Sequence, residues 1–178
     1  MRYYLALFLQ ALFLQALITS QSFADDSGDY QTNNNNLSLT IFAGQIGVAD
    51  SLQQPELFGI EIQYSSFEVY DFKILPALGY SESQGGSRYS YINFRHDFWL
   101  DNHWVLTPMW GFGHFEDSAE VMLGHEFEFI SGLELAYELP QKFRIGIHIS
   151  HISNAGISST NPGTETVELS FTMPILVD

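Results

Sequence analysis

A serine, a histidine and a glutamate lie near one another late in the chain, with a spacing that suits ester hydrolysis. His151 and Ser153 are two residues apart, and Glu165 follows the turn Asn161-Pro162-Gly163. Such hydrolysis needs a nucleophile, a base that accepts its proton and a group that orients the base. We expect Ser153 to be the nucleophile, His151 the base and Glu165 the orienting carboxylate.

Donors for the negative oxygen that develops on the ester are expected directly after the serine. Asn154 follows Ser153, and Gly156 is free to take backbone angles that turn an N–H group inward. The segment Asn161-Pro162-Gly163 has Pro at its second position and Gly at its third, an arrangement that is typical of a tight turn. We therefore predict that Asn154 and Gly156 form the oxyanion site.

The surrounding residues offer two alternatives. Ser158 and Ser159 could also act as nucleophiles, but they are loop residues and less firmly held. His148 beside His151 would suggest zinc, yet residues three apart on a strand point to opposite faces. We expect no metal site and no cofactor.

The residues on both sides of the triad alternate between apolar and polar side chains, which indicates β-strands. Ile145, Ile147 and Ile149 precede His151 at every second position, and Val167 and Leu169 follow Glu165 in the same way. His151, Ser153 and Glu165 share the parity of these apolar residues. The triad is therefore expected on the apolar face of a hairpin, where an apolar substrate would reach it.

Eight alternating segments follow residue 36 and predict an all-β fold. Segments of about 10 residues, even in number and with an aromatic-rich apolar face, are typical of an eight-stranded antiparallel transmembrane β-barrel of the outer membrane. A soluble exported barrel or sandwich would show the same alternation. The predicted segments are Leu37 to Gln45, Leu57 to Ser65, Asp71 to Glu82, Ser87 to Phe98, His103 to Phe115, Glu126 to Leu139, Lys142 to His151 and Glu165 to Ile175.

Charged residues on the polar parity favour the membrane barrel, because they could pair across a narrow lumen. They are Glu61, Lys73, Glu128, Glu134, Arg144 and Glu168.

The N-terminal region has the composition of an export signal. Arg2, an apolar run and Ser22-Phe23-Ala24 predict a secretory signal peptide over residues 1 to 24, and an uncleaved anchor is disfavoured because the apolar run is short. Residues 25 to 36 are a polar lead-in, and residues 37 to 178 form the barrel domain. The expected location is the outer membrane of a Gram-negative bacterium.

Charge and cysteine content limit the partners and the means of stabilisation that this chain can have. The formal net charge is -15, which argues against a nucleic-acid partner, since phosphates require clusters of Lys and Arg. The chain has no cysteine, so its fold depends on backbone pairing and burial rather than on disulfides.

The stretch His-Ile-Ser-Asn-Ala-Gly-Ile followed by Asn-Pro-Gly-Thr-Glu, within residues 151 to 165, resembles the PagL family of outer-membrane lipid A 3-O-deacylases. More loosely, the resemblance covers the whole expected mature chain. It implies an eight-stranded barrel with a lipid-facing site, in which His151, Ser153 and Glu165 form the triad and Asn154 lies at the oxyanion site. The implied reaction, without a metal cofactor, hydrolyses the ester-linked 3-hydroxyacyl chain at position 3 of lipid A.

The partners expected from this resemblance are lipid A or lipopolysaccharide and outer-membrane lipid. A homodimer is left open. The alternative function is a non-catalytic small outer-membrane barrel serving adhesion or envelope integrity, in which the triad is only an interfacial polar cluster.

Overall fold

The computed structural model describes residues 37–49, 54–64, 67–69 and 72–175. The predicted signal peptide and polar lead-in lie outside these residues. No helix in this part of the chain is long and apolar enough to cross a membrane. The strands are β1 Leu37–Ile46, β2 Glu56–Tyr64, β3 Phe67–Val69, β4 Phe72–Ser83, β5 Arg88–Arg95, β6 Phe98–Trp99, β7 Trp104–Glu116, β8 Phe127–Glu138, β9 Arg144–Ser153 and β10 Thr164–Ile175.

Eight long strands close into an antiparallel barrel. Each pairs with the next long strand along the chain, and β10 returns to pair with β1, where Leu37 faces Ile175. The short strands β3 and β6 extend the sheet beside β4 and β7 at the end of the barrel that holds these two termini. We call this the terminal end and the opposite one the site end. Closure leaves no free edge among the eight strands, and it confirms the predicted fold.

The predicted segments match the eight long strands, with differences at their ends. The largest is in the fourth segment, which was expected to run to Phe98, whereas β5 stops at Arg95. Asp97 leaves the ladder there because its carboxylate accepts a hydrogen bond from Thr107 Oγ1 at 2.8 Å and pairs with Arg144. The seventh segment continues two residues beyond His151, so that Ser153 belongs to β9.

The apolar residues at alternate strand positions face outward, as predicted. Ile147 and Ile149 on β9 are 53% and 50% exposed, and Leu169 on β10 is 64% exposed. Such a band of exposed aliphatic and aromatic side chains around a closed barrel is the surface that contacts lipid in an outer-membrane protein. Other members of the band are Ile41, Phe58, Ile60, Ile62, Leu78, Ile92 and Leu135.

The lumen holds a buried polar network. Arg95 pairs with both Glu61 and Glu134, and Glu134 also accepts a hydrogen bond from Ser170. His148 Nδ1 lies 2.7 Å from Glu168 Oε2. Three of the expected carboxylates are therefore paired in the lumen. Glu61 and Glu134 pair across it with Arg95, which the alternation did not single out, and Glu168 pairs with His148 on the neighbouring strand.

Three of the charged residues expected in the lumen behave differently. Lys73 is exposed at the terminal end. Arg144 pairs with Asp97 and Glu138 near the same end. Glu128 is fully buried near the site end, and neither of its carboxylate oxygens has a hydrogen-bond partner.

Apolar side chains close the lumen at the site end. Val121 and Leu123, from the loop between β7 and β8, are buried in one cluster with Tyr89, Phe115 and Ile152. Asp117 holds this loop by accepting hydrogen bonds from the backbone N–H groups of residues 123 and 124. The barrel interior is thus packed with side chains, as expected for so few strands.

Candidate active site

Three polar residues interrupt the apolar exterior in one row across neighbouring strands. Strand pairing places His151 of β9 opposite Ser131 of β8 on one side and Glu165 of β10 on the other. All three occupy strand positions whose side chains face outward, yet all three side chains are buried. A row of buried polar side chains on a face otherwise given to lipid contact is costly unless these groups interact or have a function.

His151 and Glu165 form a cross-strand pair. Nδ1 of His151 lies 3.3 Å from Oε1 of Glu165, and the residues are 5% and 7% exposed. The backbone carbonyl of Glu165 accepts hydrogen bonds from the N–H groups of Gly47 at 2.9 Å and Val48 at 3.3 Å. The position of Glu165 is therefore set from both neighbouring strands. A carboxylate on Nδ1 leaves Nε2 as the nitrogen that can accept a proton.

Ser153 lies on the same face as His151, two residues farther along β9. That separation is about 6.6 Å along the strand, which side chains can bridge. Ser153 is half-buried, whereas His151 is buried, so the serine is the more accessible member of the pair. Phe129 of β8 lies directly opposite it.

Gly163 packs against the histidine ring. A Cβ atom built on Gly163 would be 2.8 Å from Cε1 and 3.2 Å from Nε2 of His151. The pairing of residue 164 with 152 and of 165 with 151 puts Gly163 level with Ser153. The Nε2 edge of the ring therefore points toward the level of the serine, and the absence of a side chain at residue 163 keeps that space open.

For the ester hydrolysis predicted from the sequence, replacing Gly163 by alanine is expected to lower the rate about 100-fold. The new methyl group would displace the ring, and a displacement of about 1 Å in a catalytic group costs a factor of this size. The rate should be measured as released fatty acid. Gly86 is the matched control because its φ is also positive, +89° against +66° at Gly163, and a Cβ there meets nothing within 4 Å. Gly86→Ala should keep full activity, and equal losses in both variants would contradict a role for the space at Gly163.

Asn154 organises the loop after the serine. Its N–H donates to Asn161 Oδ1 at 3.1 Å, its side-chain Nδ2 donates to the Thr160 carbonyl at 2.9 Å, and its Oδ1 accepts the N–H of Gly156 at 3.0 Å. Ala155 and Gly156 have φ angles of +53° and +85°, which are typical of a type I′ turn. The expected oxyanion donors therefore already hold partners within the loop.

Two apolar surfaces flank the site. On one side, Trp110 of β7 contacts Phe129 of β8 and Phe112 of β7 contacts Phe127 of β8, with ring centroids 6.1 and 5.8 Å apart. On the other side, a groove of about 760 Å³ crosses the barrel exterior from β9 and β10 to β4. Its outward-facing lining includes Ile41, Phe58, Ile60, Ile145, Leu169 and Phe171.

The structure brings the predicted His151, Ser153 and Glu165 together at the site end. His148 faces the lumen, so the two histidines do lie on opposite faces. Ser131, Phe129 and the packing role of Gly163 were not predicted. The signal for Ser131 was nevertheless present in the sequence, since it is a single polar residue on the otherwise apolar parity between Phe129 and Leu133.

Comparisons with known proteins agree with this geometry. A sequence model of the lipid A 3-O-deacylase (PagL) family matches residues 70–174, which include all five predicted site residues. Lipid A deacylase PagL of Bordetella bronchiseptica is 41% identical over 54 residues, and that alignment covers 30% of each chain. The chain thus matches about a third of the length of this curated relative.

Solved structures share the architecture. The crystal structure of the outer membrane enzyme PagL superposes with a TM-score of 0.60 at 19% identity, covering 78% of this chain and 99% of that one. A de novo designed transmembrane β-barrel superposes with a TM-score of 0.55 at 9% identity, covering 78% of this chain and 94% of the design. At these identities the likeness shows the fold alone.

Proposed function

This chain belongs to the lipid A 3-O-deacylase (PagL) family, and on that premise we propose that it hydrolyses the ester-linked 3-hydroxyacyl chain at position 3 of lipid A. The protein is an outer-membrane barrel, and in our proposal its terminal end faces the periplasm and its site end faces the cell surface. The observation that carries the proposal is the row of buried polar residues, with a His–Glu pair, on the lipid-facing exterior. A lipid ester in the outer leaflet is the substrate that this position can reach.

The proposed chemistry proceeds through an acyl-enzyme. The hydroxyl of Ser153 attacks the ester carbonyl while Nε2 of His151 accepts the serine proton, and Glu165 keeps the proton of His151 on Nδ1. The tetrahedral intermediate collapses when His151 returns the proton to the departing sugar oxygen. Water then attacks the acyl-serine with His151 again acting as base, and the free 3-hydroxy fatty acid leaves.

Asn154 and Gly156 are proposed to stabilise the oxyanion by giving up their present hydrogen bonds and donating to the oxyanion instead. Their N–H groups donate to neutral amide oxygens at 3.1 and 3.0 Å. An oxyanion is a stronger acceptor than an amide oxygen, because hydrogen bonds to an ionised group are roughly twice as strong. The donors would therefore shift to the oxyanion in the transition state, where stabilisation accelerates the reaction.

The surfaces beside the site supply a place for acyl chains. The groove begins at Leu169, four residues along β10 from Glu165, a separation of about 13 Å along the strand. Its outward-facing lining is largely aliphatic and aromatic, so a hydrocarbon chain can lie in it without losing polar contacts with water. The site thus combines a polar reaction centre with apolar support on the same face.

The test is mass spectrometry of lipid A from cells that express the full chain, beside cells that carry the empty vector. We expect a mass loss equal to one 3-hydroxyacyl chain, with the free 3-hydroxy fatty acid recovered. Unchanged lipid A, in cells where the protein is folded in the outer membrane, would favour the non-catalytic barrel. The purified protein should release the same fatty acid from lipid A in detergent micelles, which separates its own activity from that of host enzymes.

A further inference from the structure

Glu128 of β8 is a buried carboxyl group at the site end that the proposed reaction does not use. The residue is 0% exposed, and neither of its carboxylate oxygens has a hydrogen-bond partner. Arg95, the buried cation of the lumen, pairs with Glu61 and Glu134 instead. Burying a polar group without a partner costs free energy, so a side chain of this kind at the site end is a candidate for a role in the reaction.

The strand register places Glu128 beside Asn154 on the inner face of the barrel. Phe129 lies opposite Ser153, so the next residues toward the site end are Glu128 on β8 and Asn154 after β9. Neighbours of outward-facing residues point inward, and opposite side chains on one face have Cβ atoms about 5 Å apart. Asn154 is likewise 0% exposed, and its amide interacts with the Glu128 carboxyl without the geometry of a hydrogen bond.

The Asn154 amide has an N–H group available for such a bond. Its nitrogen carries two N–H groups, and one of them donates to the Thr160 carbonyl at 2.9 Å. Its oxygen accepts the N–H of Gly156 at 3.0 Å. The second N–H of the amide and the oxygens of Glu128 are therefore a donor and its acceptors, buried at the same level of the barrel.

The proposed reaction removes two of the three hydrogen bonds that hold Asn154 in its loop. The N–H groups of Asn154 and Gly156 turn to the oxyanion, so the bonds that they now make within the loop are lost. We propose, on the basis of the proposed function, that Glu128 is a positioning residue, which accepts the second N–H of the Asn154 amide as these bonds are lost. The oxyanion donors then stay in place, since contacts that are long in a resting site commonly tighten in the transition state.

The first test replaces Glu128 by methionine in the purified full-length protein, assayed on lipid A in detergent micelles. We expect kcat for fatty acid release to fall about tenfold with a smaller change in KM, which is less than the roughly 100-fold cost of removing an oxyanion donor itself. The barrel should nevertheless unfold at a higher temperature than wild type, because an apolar side chain replaces an unpartnered polar one. Glu128→Gln should keep kcat within about threefold, since its amide oxygen is also an acceptor. Unfolding is read from the change in gel mobility after heating.

Tyr89→Phe is the matched control in the same buried region. The Tyr89 hydroxyl donates to the backbone carbonyl of Glu128 at 2.8 Å, so it contacts this residue without touching the carboxyl group. Its removal should lower the unfolding temperature, because the carbonyl loses a buried donor, and it should leave kcat unchanged. The control and Glu128→Met therefore change stability in opposite directions, and only the methionine variant loses activity.

A reciprocal exchange tests the contact itself with polar side chains of matched size, and it decides the matter even where the methionine variant does not fold. Asn154→Asp removes the amide donor and places two carboxyl groups side by side, so kcat should fall about 100-fold. The double variant E128Q/N154D restores an amide facing a carboxyl in reversed positions. It should recover about tenfold of that loss, because the two residues are coupled only if they touch.

Each result decides between the two proposals. If Glu128→Met keeps the wild-type kcat, or if the double variant is no faster than Asn154→Asp, the positioning role is wrong and the proposed function stands. If Glu128→Met and Glu128→Gln both lose activity and unfold at a lower temperature, Glu128 is structural and the inference is likewise overturned. If the wild-type protein releases no fatty acid, the proposed function is wrong and the inference falls with it.

Discussion

Replacing Ser153 by alanine is expected to lower the rate of 3-hydroxy fatty acid release about 10⁴-fold or more. Removing the nucleophile from a serine, histidine and carboxylate site eliminates the acyl-enzyme route and leaves only what binding and the oxyanion donors provide. Ser153 is suited to this role because it is half-buried on the outward face of β9, on the same side as His151. The rate should be measured with purified protein and lipid A in detergent micelles.

Ser158→Ala is the matched control for the serine. Ser158 lies in the loop that follows Ser153 and is also half-buried, but it is outside the strand that carries the histidine. The control should keep the wild-type rate. Both variants should run as folded barrels in unheated gel samples, and a folded Ser153→Ala protein with more than a tenth of wild-type activity would rule this residue out as the nucleophile.

Replacing Glu165 by glutamine is expected to lower kcat about 10³-fold, with a smaller change in KM. The carboxylate can only accept a hydrogen bond from Nδ1, so it selects the tautomer of His151 that leaves Nε2 free. An amide can donate to Nδ1 instead, which stabilises the tautomer with a proton on Nε2, and that form cannot accept the serine proton. The contact of 3.3 Å between Oε1 and Nδ1 is long for a hydrogen bond, which is why we expect a loss below the largest known for such a change.

The chain contains its own control for this substitution. His148 and Glu168 form a second His–Glu pair on the same two strands, with Nδ1 and Oε2 2.7 Å apart, but this pair faces the lumen. Glu168→Gln should therefore leave kcat within a few-fold of wild type, since the lumen is closed to lipid. If both glutamine variants lose activity equally, the effect of Glu165 is structural and its orienting role is wrong.

The sequence alone determined the eight long strands and the face that most of their residues occupy. Side chains alternate across a strand with a period of two, so local alternation predicts which residues face lipid without knowledge of the neighbouring strands. That rule placed His151 and Ser153 on the outward face and His148 on the inward one, and the structure confirms these positions. The motif around Ser153 likewise sufficed to predict the family.

Only the tertiary structure decided which residues meet across strands. Register depends on turns, strand tilt and barrel closure, none of which is contained in the alternation of a single segment. The register of β8, β9 and β10 brings Ser131 level with His151 and places Gly163 against its ring, and barrel closure makes Arg95 the partner of carboxylates from β2 and β8. The contacts of Arg95 join residues 34 and 39 positions apart on strands that are not neighbours, so they arise only once the barrel has closed.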